Sequence, residues 1–179
     1  MNAGESPERE CMAADTALWV PAYVGLGSNL DDPPGQLRRA LAELGRLPHT
    51  RLVAHSGFFR NPPLGPIPQP PFVNAAAALV TQLTARALLA ALKGIEDAHG
   101  RVRDVNTRWG PRALDLDLLM FGQSRCAEDG LTLPHPGIAE RNFVLFPLQE
   151  IAPALTIPGH GRIGELLDRL DCSTLERID

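Results

Sequence analysis

The chain has 179 residues and a formal net charge of −4, with 44% hydrophobic and 21% charged residues. This composition suits one globular domain with its own core, and the acidic balance excludes a basic surface that would attract nucleic acid or anionic membrane. No apolar run approaches the roughly 18 residues needed to span a bilayer, and the three cysteines form no CxxC pair, which argues against a zinc site and favours a reducing compartment.

The first third of the chain alternates apolar patterns with turn signals. Residues 1–17 are polar and lack the apolar segment of a signal peptide, so we expect a disordered tail before a single domain over 18–179. Residues 18–26 are β-rich and lead into a Gly-Ser-Asn turn. Leucine and alanine then recur at helical spacing, which predicts an amphipathic helix over 34–47, and 51–59 has the pattern of a second strand.

A stiff loop separates these elements from the next pair. Residues 61–71, NPPLGPIPQPP, hold six prolines and one glycine in eleven positions, which excludes a regular strand ladder. The apolar run FVNAAAALVTQL, beginning at Phe72, predicts a third strand. Thr84 caps a helix that runs to about His99, and a polar, arginine-bearing loop follows over 101–111.

A fourth strand over 113–121 completes the order β-α-β-β-α-β. This order predicts an α+β, ferredoxin-like sandwich with an antiparallel sheet. Helices on one face of such a sheet would leave the other face open for ligands. Helices near 137–150 and 163–170 are expected as C-terminal additions to the sandwich.

The fourth strand carries two acids in the stretch RWGPRALDLDLLMF. Side chains two apart on a strand share a face, so Asp115 and Asp117 point one way while the leucines beside them point the other. Two isolated carboxylates this close repel each other, and a bound Mg²⁺ would relieve that repulsion because hard cations prefer carboxylate oxygens. From these residues alone, a solvated Asp-Leu-Asp on an exposed face is the alternative.

Basic residues crowd the loop just before this strand. Four arginines stand against the single acid Asp104, for a local charge of +3: Arg101, Arg103, Arg108 and Arg112. Cations beside a metal-binding acid pair are what polyphosphate transfer needs, although a solvated basic loop is the simpler reading. The chain has no GxxxxGK[ST] motif, and Gly25-Leu26-Gly27 lacks the third glycine of a dinucleotide fingerprint, so a tight turn explains it.

Four further positions suit a ligand on an open sheet face. Phe72 and Asn74 are two apart on the third strand, and an aromatic plane beside an amide suits a flat heterocycle. Phe143 could supply a second plane, although core packing is the alternative for each of these side chains. His135 lies between two prolines and could donate a hydrogen bond to a phosphate, whereas a lone loop histidine is usually incidental.

Several segments together resemble a known family. In order and spacing, YVGLGSNL, RNPPLGPIPQPPFVNAA, RVR, RWGPRALDLDLLMFG and LTLPHPGIAERNFVLFPLQEIAP are similar to 6-hydroxymethyl-7,8-dihydropterin pyrophosphokinases, over about residues 18–160. The resemblance implies an ATP-dependent diphosphotransferase with the ferredoxin-like fold. Its expected reaction moves diphosphate from ATP to the hydroxymethyl group of a reduced pterin, on the route to folate.

The resemblance also implies roles for individual residues. The catalytic set is Arg101, Arg112, Asp115 and Asp117, with both aspartates holding two Mg²⁺ ions. The residues expected at ATP are Glu96, Arg103, Leu118, Thr132, His135 and Arg141. Those expected at the pterin are Asn61, Leu64, Phe72, Asn74 and Phe143. Trp109 belongs to an expected lid loop.

The match has departures, and one alternative stays open. Gly130 stands where the bacterial form used for comparison has an ATP-contacting arginine, and the segment 103–108 is one residue longer. The alternative is a non-catalytic ferredoxin-like module that binds nucleotides or RNA, but RNA recognition would require a basic surface and an aromatic strand pattern. We therefore expect a cytoplasmic monomer that acts on small molecules, with no nucleic-acid or membrane partner.

Overall fold

The computed structural model of the protein describes residues 18–63, 68–100 and 110–179. The elements before the arginine-bearing loop are β1 (Val20–Ser28), α1 (Pro33–Leu44), β2 (Thr50–His55), β3 (Phe59–Asn61), β4 (Phe72–Thr81) and α2 (Ala85–Ala98). Those after it are β5 (Asp115–Phe121), β6 (Cys126–Glu128), β7 (Leu131–Leu133), α3 (Asn142–Ile151), β8 (Thr156–Ile157), β9 (Gly161–Arg162), α4 (Ile163–Leu167) and β10 (Glu176–Arg177).

The main sheet of the described residues has six antiparallel strands. Its order is β10-β3-β4-β1-β5, and β2 pairs with β4 further along that strand. Strand β1 thus lies between β4 and β5, and the predicted ferredoxin-like α+β fold is confirmed. No helix in the described part of the chain is long and apolar enough to cross a membrane.

Local signals explain where the helices begin. The Asp32 side chain accepts a hydrogen bond from the backbone N–H of Gly35, and Pro33 occupies the first turn of α1. The Thr84 hydroxyl caps α2 as predicted, accepting from Ala87 N at 3.1 Å. Helix α1 ends at Leu44, three residues before the predicted end at 47.

The predicted strand over 51–59 is two strands, β2 and β3. Ser56 lies between them, where its hydroxyl donates to Gly57 O at 2.7 Å and accepts from Ala76 N at 2.9 Å. The Ser56 hydroxyl therefore accepts the hydrogen bond from the backbone of β4 that a backbone carbonyl of a neighbouring strand would otherwise accept. Because side-chain bonds of this kind have no periodic pattern, alternation alone did not reveal the break.

Helices pack on both faces of the sheet. The expectation that all helices lie on one face and leave the other face open is therefore wrong. On one face, α1 and α2 contribute side chains such as Leu37 and Leu88 to a core that includes Leu116 and Leu118 of β5. On the other face, a second core is built by α3, α4 and neighbouring residues, among them Leu145. This second layer covers only part of the face, and a cavity remains beside it.

Candidate active site

The uncovered part of the second face is a cavity of about 320 Å³. Nine of the predicted site residues line it: Asn61, Phe72, Asn74, Arg112, Asp115, Asp117, His135, Arg141 and Phe143. Residues that the sequence reasoning did not select also line it: Gly25, Leu26, Gly27, Gln69, Ala75, Gly110, Leu119 and Val144. The predictions for Leu64, Arg101, Arg103 and Trp109 lie outside the described residues.

Strand register sets the layout of the cavity floor. Gly27 of β1 pairs with Asn74 of β4 on one side and with Asp115 of β5 on the other. In the next row along the same face, Gly25 pairs with Asp117. The Asn74 amide and the carboxylates of Asp115 and Asp117 thus face the same space. The strand between them, β1, has glycine at the two positions that face this space.

The two glycines are part of β1, which runs to Ser28, so the tight-turn interpretation of Gly25-Leu26-Gly27 is wrong. A Cβ atom built on Gly27 would lie 3.1 Å from Asn74 Oδ1, and one on Gly25 would lie 3.4 Å from a methyl carbon of Leu119. Glycine therefore keeps the space between the amide and the acids clear. Two glycines at i and i+2 of a strand are the signal that could have indicated a cavity floor.

Among the described residues, positively charged and titratable side chains lie beside the acid pair. Arg112 Nη1 lies 2.6 Å from Asp115 Oδ2, and the two side chains are 30% and 20% exposed. The pKa of Asp117 is raised, first by burial and then by the charge of Asp115, which together outweigh the opposing effects of His135, Arg141 and Arg112. The site therefore disfavours the second negative charge unless another cation is bound.

His135 faces the second carboxylate, and its surroundings favour the neutral imidazole. Burial lowers the pKa of its imidazole, and Arg141 lowers it further, although Asp117 and Asp115 act in the opposite direction. Gly137 N donates to His135 Nδ1 at 3.1 Å, so in the neutral ring the proton is on Nε2. That nitrogen lies 3.9 Å from Asp117 Oδ2 and can donate to an anionic ligand beside it.

The donor set fits a hard divalent cation that shares its coordination with a ligand. Within the described ranges, no group of three or more His, Cys, Asp or Glu side chains could hold a metal by itself. Mg²⁺ is commonly held by one or two carboxylates together with water and substrate phosphates. Asp115 and Asp117 are sufficient for that kind of site but not for a cage made only of protein ligands.

The opposite wall is made of amides and aromatic rings. Asn74 Nδ2 donates a hydrogen bond to Asn61 Oδ1, and Asn61 Nδ2 donates to Pro62 O at 2.8 Å. Phe72 and Phe143 also line the cavity, and the Arg141 guanidinium lies 6.0 Å from the centre of the Phe143 ring. The wall offers flat apolar surfaces beside hydrogen-bonding groups.

Three predicted ATP residues do not line the cavity. Glu96 is 2% exposed on α2, and its Oε1 accepts from the backbone N–H of Leu116 at 2.7 Å. Leu118 is buried in the core under α1 and α2, and Thr132 is exposed on β7. The assignment of these residues to ATP stays a prediction.

We expect Glu96→Ala to lower the free energy of unfolding by about 1–3 kcal/mol, because the buried N–H of Leu116 would lose an acceptor. Chemical denaturation of the purified variant measures this change. Glu140→Ala is a suitable control, because Glu140 is exposed and lies outside every helix and strand. Unchanged stability with a weakened affinity for ATP would instead favour direct contact between Glu96 and the nucleotide.

Together, fold and cavity define a ferredoxin-like α+β protein with an acidic, arginine-flanked ligand site on its sheet. Residues 23–153 match the family model of 7,8-dihydro-6-hydroxymethylpterin-pyrophosphokinase (HPPK). The chain belongs to this family, which confirms the resemblance inferred from the motifs.

Relatives from several bacteria are similar over most of their length. The 2-amino-4-hydroxy-6-hydroxymethyldihydropteridine pyrophosphokinase of Pseudomonas aeruginosa is 48% identical over 156 residues, covering 87% of this chain and 95% of the relative. The enzyme of that name from Haemophilus influenzae is 45% identical over 148 residues, covering 83% and 91%.

Solved structures show the same fold at much lower identity. Wild-type Plasmodium falciparum HPPK-DHPS with pteroate superposes with a TM-score of 0.69 at 11% identity, covering 90% of this chain. Its A437G variant with pteroate gives 0.68 at 12% identity. The chain spans about half the length of these structures, 48% and 47%. At such identity the likeness bears on the fold alone.

Proposed function

We propose that the protein transfers diphosphate from ATP to the hydroxymethyl group of 6-hydroxymethyl-7,8-dihydropterin, giving AMP and the pterin diphosphate in folate biosynthesis. One observation carries the proposal: Asn74 and the acids Asp115 and Asp117 face one cavity across Gly27. A heterocycle at the amide would thus lie beside phosphates at the acids. Family membership supports the same activity, and the comparisons give no support to a non-catalytic nucleotide- or RNA-binding module.

The acidic end of the cavity is the proposed phosphate side. Asp115 and Asp117 would hold two Mg²⁺ ions, which when bound neutralise phosphate charge and lower the pKa of the attacking hydroxyl. Arg112 already contacts Asp115, so its guanidinium is within reach of a phosphate held at that carboxylate. His135 would donate through Nε2, and Arg141 would add positive charge. Among the described residues at this end, none is an obvious general base, so positioning and charge stabilisation would do most of the work.

The aromatic end is the proposed pterin side. Phe72 and Phe143 would contact the two faces of the ring, and Asn74 with Asn61 would hydrogen-bond to its edge. The predicted roles of Leu64, Arg101, Arg103 and Trp109 belong to the same proposal and rest on the family resemblance. We also propose that the protein is a cytoplasmic monomer. The cysteine pattern supports the cytoplasmic location and has no bearing on the oligomeric state.

An assay for AMP tests the proposed activity. The purified protein is incubated with ATP, Mg²⁺ and the hydroxymethyl dihydropterin, and the nucleotides are separated by chromatography. We expect one AMP for each pterin diphosphate and no AMP with a 6-methyl dihydropterin, which lacks the accepting hydroxyl. Release of ADP, or AMP formation that does not depend on the pterin, would contradict the proposal.

We expect Asn74→Ala to weaken pterin binding by about 10- to 100-fold and to leave ATP affinity nearly unchanged. The substitution removes hydrogen bonds to the ring edge and leaves Asn61 Oδ1 without its Asn74 donor. Calorimetric titration of each ligand separately measures both affinities. Equal weakening of both would mean that Asn74 is a structural residue of the sheet.

A further inference from the structure

Asn29, the first residue after β1, uses its side-chain amide to reach the proline-rich segment. Its Nδ2 donates to Gln69 Oε1 at 3.0 Å and to Pro70 O at 3.1 Å. Both donor hydrogens of the amide therefore have partners some 40 residues away in the sequence. Gln69 also lines the cavity, so Asn29 joins a residue of the cavity wall to the end of β1.

The remaining groups of Asn29 bind the segment that leads into β5. Asn29 Oδ1 accepts from the backbone N–H of Arg112 at 2.7 Å, and Asn29 N donates to Arg112 O at 3.0 Å. Both the backbone N–H and the backbone carbonyl of Arg112 are thus hydrogen-bonded to Asn29. The Arg112 guanidinium contacts Asp115 from this position.

The hydrogen bonds that join Gln69 and Pro70 to Arg112 require the side chain of an asparagine at position 29. Two donors and one acceptor on a single short side chain are needed, whereas aspartate has no donor, and serine has only one. Asn29 is 3% exposed and does not line the cavity, so it does not contact a ligand there. A buried amide with all three functions engaged is a rigid connection.

We propose that Asn29 is a positioning residue that fixes the Arg112 guanidinium relative to Gln69 and the part of the cavity wall that Gln69 forms. This inference rests on the proposed function, because Arg112 matters only if phosphates bind beside Asp115. Asn29 acts through Arg112: it sets the distance between the cation and the place where the pterin hydroxyl meets the phosphate. A small displacement of such a cation is costly because charge stabilisation depends on geometry fixed in advance.

A double-mutant cycle on the single-turnover rate tests this role. We expect Asn29→Ala to slow AMP formation by about 10-fold in the wild-type background, and by less than about 2-fold when Arg112 is already alanine. Ser28→Ala is the matched control, since the buried Ser28 hydroxyl donates only to Leu30 O in its own turn, at 3.3 Å. That control should keep the wild-type rate.

A second variant keeps the test decisive if Asn29→Ala does not fold. Gln69 is partly exposed, so Gln69→Ala removes one partner of Asn29 without threatening the core. We expect Gln69→Ala to slow the step by about 3-fold, and to have almost no effect in the Arg112→Ala background. Independent, multiplicative effects in these cycles would overturn the role of Asn29. An inactive wild type would instead overturn the proposed function, and this inference with it.

Discussion

Replacing Asp115 or Asp117 by alanine is expected to reduce pterin-dependent AMP formation by at least about 10³-fold, while the fold is retained. The two carboxylates are the acids that face the cavity from β5, and in the proposed mechanism each would be needed to hold the cations that the phosphates share. The fold should survive because both side chains point into the cavity, away from the core formed by Leu116 and Leu118.

Thermal unfolding separates loss of the metal site from loss of structure. Mg²⁺ with a nonhydrolysable ATP analogue should raise the unfolding temperature of the wild type, because a ligand that binds only the folded state stabilises it. The aspartate variants should lose this rise, whereas Asp168→Ala, an exposed acid after α4, should keep it. Near-normal AMP formation by either variant at ordinary Mg²⁺ would refute the metal assignment.

The isosteric variant Asp117→Asn adds a check with a predictable sign. A raised pKa means that ionised Asp117 is less stable in the folded protein than in the unfolded chain. Without metal at neutral pH, the unfolding temperature of Asp117→Asn should therefore be equal to or higher than that of the wild type. The gain should stay below about 1 kcal/mol, because the side chain is 39% exposed and water screens the charge.

Removing the guanidinium in Arg112→Ala is expected to slow the chemical step by about 10²- to 10³-fold, the usual effect of losing one transition-state donor. Pterin affinity should change little, because Arg112 contacts Asp115 at the proposed phosphate end of the cavity. Single-turnover kinetics measures the step, and calorimetry measures pterin binding. Arg112→Lys should recover only part of the rate, since an ammonium cannot make the paired contacts of a guanidinium.

Mg²⁺ affinity distinguishes this arginine from the acids beside it. Arg112 now partly neutralises Asp115 and favours the charged form of Asp117. Without it, the acid pair loses one neighbouring positive charge, so the affinity for Mg²⁺ should be equal to or higher than in the wild type, in contrast to the aspartate variants. Loss of pterin binding with unchanged chemistry would show that Arg112 is placed at the wrong end of the cavity.

Features that depend on neighbouring residues could be predicted from the sequence. The alternation in LDLDL places Asp115 and Asp117 on one face, because a strand turns every second side chain to the same side. Thr84 before an apolar repeat marks the start of α2, because a hydroxyl there can cap the first free N–H groups. The spacing of the motifs was enough to indicate the family, and with it nine of the residues that line the cavity.

The arrangement of the cavity itself was decided by tertiary structure. Gly27 separates Asn74 from Asp115 only because three strands pair in one register, and Asn29 joins Gln69 to Arg112 across 40 and 83 residues of chain. The extent of the open face depends on where α3 packs, and Glu96 contacts β5 instead of the cavity. Such contacts join residues far apart in the chain, so periodicity and capping, which report only on neighbours, contain no information about them.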